Sequence, residues 1–313
     1  MLTVILAFAM NVLVALAKTV AAVLTGSASM MAEASHSWAD AGNEVFLLIA
    51  EKRGARGRDD KHPFGYGRET YVWSMIAAFG LFTVGAVVSI MRGIHALSET
   101  GEDSDYLIGY VVLAISALLE GTSFLQSVRQ ARQASARLSM HPLRFVSRTS
   151  DATLRAVFAE DAAALIGLVI AAAGMALHQV TGDARWDAVG SILVGVLLAV
   201  VAVLLIRRNL DFLVGQVPMP EVRREILERM LANPDIDRVT YLHVEFVGPE
   251  QFYIVAAVDI VGDLAEHDLA PTLRAIEARM EESDEVVEAV LTLSTPAEKS
   301  LDPASIGPER TLD

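Results

Sequence analysis

The chain of 313 residues contains no cysteine, which excludes disulfides, thiolate metal sites and thiol catalysis. It has no Gly-x-x-x-x-Gly-Lys-Ser/Thr run, so no nucleotide loop of that kind drives it. His-Glu-x-x-His is absent as well, and with it a common signature of helical metallohydrolases. There is no basic surplus either. Twenty-five Lys and Arg face 39 Asp and Glu, a net charge of −14, which argues against nucleic acid as a partner. No basic segment precedes the first apolar run, which starts at residue 2. At about 23 residues that run is closer to a spanning helix than to a cleavable signal peptide.

What the chain has in abundance is apolar surface. It is 53% hydrophobic, with a mean hydropathy of +0.43, which places it in the membrane class. The charge is not spread evenly. Residues 1–209 hold 17 basic and 17 acidic side chains, whereas residues 210–313 hold 8 and 22. An electroneutral apolar part is thus followed by an acidic one.

Six spans can be read, at about 2–24, 28–51, 70–97, 106–128, 152–178 and 187–206. Each is close to or above the ~20 residues that cross the hydrocarbon. The connection 51–70 carries six Lys and Arg and 129–148 carries five, whereas the one at 98–105 has none and is acidic. The positive-inside rule then puts both termini in the cytoplasm of a multi-pass protein of the cell membrane. Beyond 210 the periodicity changes. Residues 221–232 and 264–282 read as helices; 239–247, 252–260 and 286–293 read as strands, with Gly248-Pro249-Glu250 as a turn. The expectation is an α-helical membrane protein in three parts. A six-helix transmembrane bundle over 1–209 leads to a ferredoxin-like α+β cytoplasmic domain (αββαβ) over 210–297 and a disordered tail over 298–313.

The chemistry sits where lipid is expected. His36 and Asp40 lie in the second span, four apart and so on one helical face. Imidazole plus carboxylate at that spacing suits a divalent cation. Glu33 and Asn43 extend the same stripe and are candidates for a supporting shell or proton path. Glu160 and Asp161 lie inside the fifth span. Adjacent residues point about 100° apart on a helix, so one is expected as a ligand and the other beside it. Glu120, in the fourth span, either joins the metal path or pairs with a base such as Arg92 or His95. Asp59 and His62 form a possible second metal site in the first basic loop. The other reading of that loop is a structural one, docked on the bundle through Arg68 and Phe64.

Together these residues resemble the cation diffusion facilitators, dimeric transporters that export Zn²⁺ and related ions in exchange for protons. The resemblance covers about residues 4–296. It is carried by Gly26-Ser27-Ala28 leading to His36-Ser37-x-x-Asp40, by His62-Pro63-Phe64-Gly65-Tyr66-Gly67-Arg68, by Asp187-Ala188 with Gly190-Ser191-Ile192 and Gly195, and by the αββαβ order. It implies a homodimer whose ligands are two residues on the second helix and two on the fifth. His36 and Asp40 take the first pair and Asp161 one place of the second. The other place falls on Val157, which cannot bind metal, so either Glu160 or water takes it. The chain is then similar to the subgroup with Glu-Asp on helix five. Such an oxygen-richer site tilts the cargo toward Mn²⁺, Fe²⁺ or Co²⁺ beside Zn²⁺. The family's loop site maps onto Asp59 and His62, but its second His falls on Tyr66. The acidic domain lacks the His cluster some members use, which leaves dimerisation as its expected role. An intramembrane metallohydrolase is disfavoured by the missing motif, and the ligand lost at Val157 leaves room for a non-transporting regulatory partner.

Overall fold

The computed structural model describes residues 2–98, 106–138 and 140–306. The helical part comprises α1 (Leu2–Thr25), α2 (Ala28–Gly54), α3 (Glu69–Gly80), α4 (Val88–Ala96), α5 (Leu107–Arg137), α6 (Pro142–Arg148), α7 (Ala152–Thr181) and α8 (Arg185–Val214). A π-helical turn, Leu81–Val87, joins α3 to α4 in one continuous rod. Among the described residues, four helices are long and apolar enough to cross a membrane: Glu69–Ala96, α5, α7 and α8. The polar stripe of α2 lowers its hydropathy, and α1 contributes the shorter apolar stretch Asn11–Thr25. The outward faces are apolar: Leu118, Val169 and Val180 are 72%, 69% and 85% exposed. A surface of that kind is stable against lipid, and the chain is a multi-pass membrane protein. The acidic connection with Glu102 and Asp103, used above for orientation, lies outside the described residues.

The breaks follow local chemistry. Gly26 takes a positive φ of 64° between α1 and α2, and Ser27 then caps α2 by accepting from the Met30 amide. Asp151 caps α7 in the same way. Gly182, at φ 72°, closes the far end of α7. α2 runs through the middle of the bundle, packed against α1, the α3–α4 rod, α7 and α8. Its buried face is rich in small residues, including Ala28, Ala32, Ala34, Ala39 and Ala41, which lets neighbouring backbones come close. The π turn was not legible in the sequence. Thr83 Oγ1 bonds there to the carbonyls of Phe79 and Gly80 at 2.9 and 3.2 Å, competing with the regular helical ladder.

The second part runs α9 (Pro220–Leu231), β1 (Ile236–Gly248), β2 (Gln251–Ile260), α10 (Glu266–Met280) and β3 (Val286–Leu293). β1 and β2 are antiparallel across a turn in which Glu250 has φ 56°. β2 and β3 are parallel, joined by α10, and the sheet order is β1-β2-β3. The expected αββαβ order is therefore present. The disordered tail is not, over its described length. The Leu301 amide donates to the Val239 carbonyl at 2.7 Å, and Arg224 donates to the carbonyls of Pro303 and Ile306. Leu301 and Ile306 pack on the sheet core, so two apolar residues in a polar segment tie it down as far as Ile306. Residues 307–313 lie outside the described residues.

The two parts share one core. Tyr71 of α3 stacks on Phe212 of α8 at 5.0 Å, and Phe212 meets Phe246 of β1 at 5.4 Å. Phe246 in turn meets Phe252 of β2 at 5.0 Å. The loop between α2 and α3 docks on this sheet rather than on the bundle. Arg68 donates to Glu245, and Phe64 packs edge-on against Tyr253. Gly67 and Gly248 come so close that a Cβ on Gly67 would lie 2.7 Å from the Gly248 Cα and 2.9 Å from the Val247 carbonyl. Gly67→Ala is expected to cost about 1–3 kcal/mol through that overlap, read as a lower thermal midpoint. Gly57→Ala, in the same loop with nothing within 4 Å, is the control. Equal midpoints for the two variants would mean the contact is not close-packed.

Candidate functional site

His36 and Asp40 lie mid-way along α2, with Nδ1 3.4 Å from Oδ1. His36 is fully buried, and among the described residues neither ring nitrogen has a hydrogen-bond partner, nor does Asp40 Oδ1. Buried polar atoms are rarely left this way, because each costs about 1–3 kcal/mol. Asp40 lines a cavity of about 450 Å³ walled by α1, α2, α5 and α7, together with Glu120, Val157, Glu160 and Asp161. Glu160 and Asp161 thus both reach the same cavity despite being neighbours on α7. Glu160 accepts from Asn43 Nδ2 at 3.0 Å, and Asp161 accepts from Ser123 Oγ at 2.9 Å. Val157 supplies an apolar patch of wall. His36 stands behind Asp40 rather than on the cavity surface. Among the described residues, no three His, Asp or Glu side chains converge closely enough to hold one ion together.

The stripe on α2 faces inward, as its spacing predicts: Glu33, His36 and Asn43 are all buried. Their partners are less predictable. Glu33 and Glu120 are both held by Lys18 of α1, whose Nζ lies 3.0 Å from Glu33 Oε2 and 2.8 Å from Glu120 Oε1. The base that meets Glu120 is therefore Lys18, not Arg92 or His95. A lone lysine inside the first apolar run was the available signal, because a charge at that depth needs a partner. A second residue whose role the spacing did not disclose is Asp187, in the first turn of α8. It accepts from Ser27 Oγ at 2.8 Å, from the amides of Ala28 and Ser29, and from Ser29 Oγ. A carboxylate from another helix thereby caps α2 at its positive end and anchors the helix that carries His36 and Asp40.

The loop pair has other commitments. Asp59 accepts from the amides of Lys61 and His62 at 3.0 and 2.8 Å and from Tyr66 Oη at 2.6 Å. His62 Nδ1 is 3.2 Å from Asp59. The Tyr66 hydroxyl, with these amides, holds the Asp59 carboxyl down at about 2. Arg56 lies over the Tyr66 ring at 4.0 Å. Both oxygens of Asp59 serve the turn, and Tyr66, standing where a second His would be, completes it. His243 is half-buried and His267 exposed on the sheet domain, the first beside Glu245 and the second beside Asp268.

Comparison with known proteins bears on this arrangement. Residues 4–214 match the family described as the cation efflux transmembrane domain. Metal tolerance protein C4 of Arabidopsis thaliana is 34% identical over 235 residues, covering 75% of this chain and 51% of that protein. The mitochondrial proton-coupled zinc antiporter SLC30A9 of Xenopus laevis is 34% identical over 259 residues, covering 83% and 46%. The chain spans about half the length of these two relatives. An uncharacterized transporter of Methanocaldococcus jannaschii is 24% identical over 285 residues, covering 89% and 92%. With two thirds of its length matched to that family, and with relatives at this level of identity, the chain belongs to the cation efflux family.

Proposed function

We propose that the protein is a proton-coupled exporter of divalent metal cations, a Zn²⁺/H⁺ antiporter that works by alternating access as a homodimer. In this reading α1, α2, the α3–α4 rod, α5, α7 and α8 are six spans, both termini are cytoplasmic, and the membrane is that of the cell. The 210–297 part is a ferredoxin-like cytoplasmic domain that joins two protomers. The observation that carries the reading is the cavity itself. Asp40, Glu160 and Asp161 share one space inside the helices with Glu44 and Glu120, and His36 is buried beside Asp40 with no hydrogen-bond partner among the described residues.

His36, Asp40 and Asp161 are the proposed ligands. Glu160 takes the position that Val157 cannot fill, which places the chain in the Glu-Asp subgroup. Imidazole and carboxylate bind metal only when deprotonated. Loading therefore expels protons, and protonation from the far side expels the ion. One set of lone pairs, used alternately, couples the two fluxes without nucleotide. Asn43 sets the orientation of Glu160 and Ser123 that of Asp161, as supporting hydrogen bonds do around metal ligands. A set with one nitrogen and several oxygens also accepts Mn²⁺, Fe²⁺ or Co²⁺. Asp59 and His62 are retained as a weaker loop site at most, since Asp59 is engaged in the turn. Val157 in the cavity wall is the feature that favours the second reading, a dimerising or regulatory partner that moves no metal.

Metal flux into proteoliposomes under an imposed pH gradient separates the two readings. The wild type is expected to move Zn²⁺ in exchange for protons. His36→Ala, Asp161→Ala and Asp40→Asn are each expected to lower the flux by at least about tenfold while the protein stays folded. No flux of any of the four metals would favour the partner reading. Flux that survives these variants would displace the site.

Metal competition tests the fourth position. Val157→His, one helical turn before Asp161, is expected to raise the preference for Zn²⁺ over Mn²⁺. Glu160→Gln is expected to reduce Mn²⁺, Fe²⁺ and Co²⁺ flux more than Zn²⁺ flux. An unchanged metal order in both variants would remove Glu160 from the ligand set.

A further inference from the structure

Lys18 is the charged group that the transport cycle above leaves unused, although it lies against the cavity wall. Its side chain is fully buried on α1, between Glu33 of α2 and Glu120 of α5. The two carboxylates differ. Glu33 is sealed in the bundle, backed so closely by α7 that a Cβ on Gly167 would lie 2.5 Å from its Oε1. Glu120 instead lines the cavity beside Asp40, Glu160 and Asp161. Its Oε1 is taken by Lys18, while its buried Oε2 has no hydrogen-bond partner among the described residues. One acid anchors the lysine; the other is a cavity carboxylate held on a leash.

Resting on the transport reading above, we propose that Lys18 is a positioning residue of the cavity. It is a built-in counter-cation that holds Glu120 back from the ion and so keeps the grip on a divalent cation loose enough for release. Two physical effects act in the same direction. A fixed positive charge beside the cavity repels an entering cation, and strongly so where the surroundings are poorly polarisable. The Lys18–Glu120 bond also withholds a carboxylate that would otherwise be the fourth acid around the ion. Conduction through any such site needs binding favourable enough to load and weak enough to leave. A cavity walled by several unpaired acids threatens the second condition, and Lys18 answers it.

The charge arithmetic supplies the test. One ammonium and two carboxylates leave the triad at a net charge of −1. Lys18→Met combined with Glu33→Gln keeps that net charge, because a positive and a negative group are removed together, but it frees Glu120. Equilibrium Zn²⁺ binding to the full-length protein in detergent and Zn²⁺ flux in proteoliposomes are measured in parallel. The double variant is expected to bind Zn²⁺ roughly tenfold more tightly, with a lower KM and a lower kcat. Adding Glu120→Gln is expected to return the Kd to the wild-type range. A double variant with wild-type Kd, KM and kcat would reduce Lys18 to charge neutralisation and overturn the proposal.

If the double variant does not fold, Glu120→Gln alone decides, because the sealed Lys18–Glu33 pair persists in it. Because this variant removes one negative charge beside the cavity, a Kd weakened by less than about tenfold is the expected result. A loss of roughly tenfold or more would make Glu120 a ligand outright and overturn the restraint. Wild-type protein that moves no metal fails the transport reading, and the role of Lys18 with it. Wild-type flux with an unmoved double variant fails the role of Lys18 alone.

Discussion

α2 can carry Glu33, His36, Asp40 and Asn43 through an apolar bundle only because its polar groups are met from other helices. Glu33 is met by Lys18 of α1, Asn43 by Glu160 of α7, and the amides at the start of α2 by Asp187 of α8. Where the surroundings cannot solvate a charge, leaving one partner alone costs about 3–5 kcal/mol. The placement of α1, α7 and α8 around α2 is therefore not interchangeable with any other packing of apolar helices. Small residues make the approach possible, as at Gly190 of α8, where a Cβ would lie 3.3 Å from the Ser29 Cβ of α2. The charges then select which approach is made. Among the described residues, both His36 ring nitrogens, Asp40 Oδ1 and the second oxygen of Glu33 find no such partner.

The same logic reaches the sheet domain by a different force. Tyr71 and Phe212 belong to membrane helices, yet they are buried in one apolar cluster with β1 and β2. Gly67 against Gly248 and Arg68 on Glu245 close the contact from the loop side. The α3 start and the α8 end are therefore fixed to the sheet. A tilt of either rod must carry the sheet with it or be absorbed within the rod. The π turn at Leu81–Val87 lies within the α3–α4 rod, beside α2 and α8. It is a place where the helical ladder is already irregular and where a change of register costs least.

The sequence made the helices legible because apolar length is a coarse signal that tolerates one or two charges. The inward direction of the α2 stripe followed from spacing alone, since 33, 36, 40 and 43 share a face. The αββαβ order followed from alternation, and β2 shows it at every residue. What escaped were pairings between distant segments. Lys18 and Glu120 are 102 residues apart, and Ser27 and Asp187 are 160 apart. No local period encodes such a contact. The docking of the 55–68 loop escaped for the same reason: Pro63, Gly65 and Gly67 announce a fixed turn but not the surface it rests on. The ordering of the tail as far as Ile306 escaped because composition counts polar residues, whereas Leu301 and Ile306 needed only a groove.

In the transport reading proposed above, Val157 would shape what the cavity can select. With an apolar residue one turn before Asp161, the imidazole beside this space is that of His36, and the charged groups that line it are carboxylates among neutral side chains such as Ser37 and Gln126. First-row divalent ions bind such sets in an order governed by the metal rather than by the protein, so affinity alone discriminates poorly. Discrimination must then come from geometry: how far Glu160 can leave Asn43, how far Asp161 can leave Ser123, and whether the two can close on the same point from adjacent positions of one helix. Those two hydrogen bonds oppose closure, and an ion that gains little from a tight tetrahedral shell has less reason to break them. On that reading, a cavity of this kind would favour cargo by how it tolerates a loose oxygen shell. That is a property of coordination number and size rather than of softness.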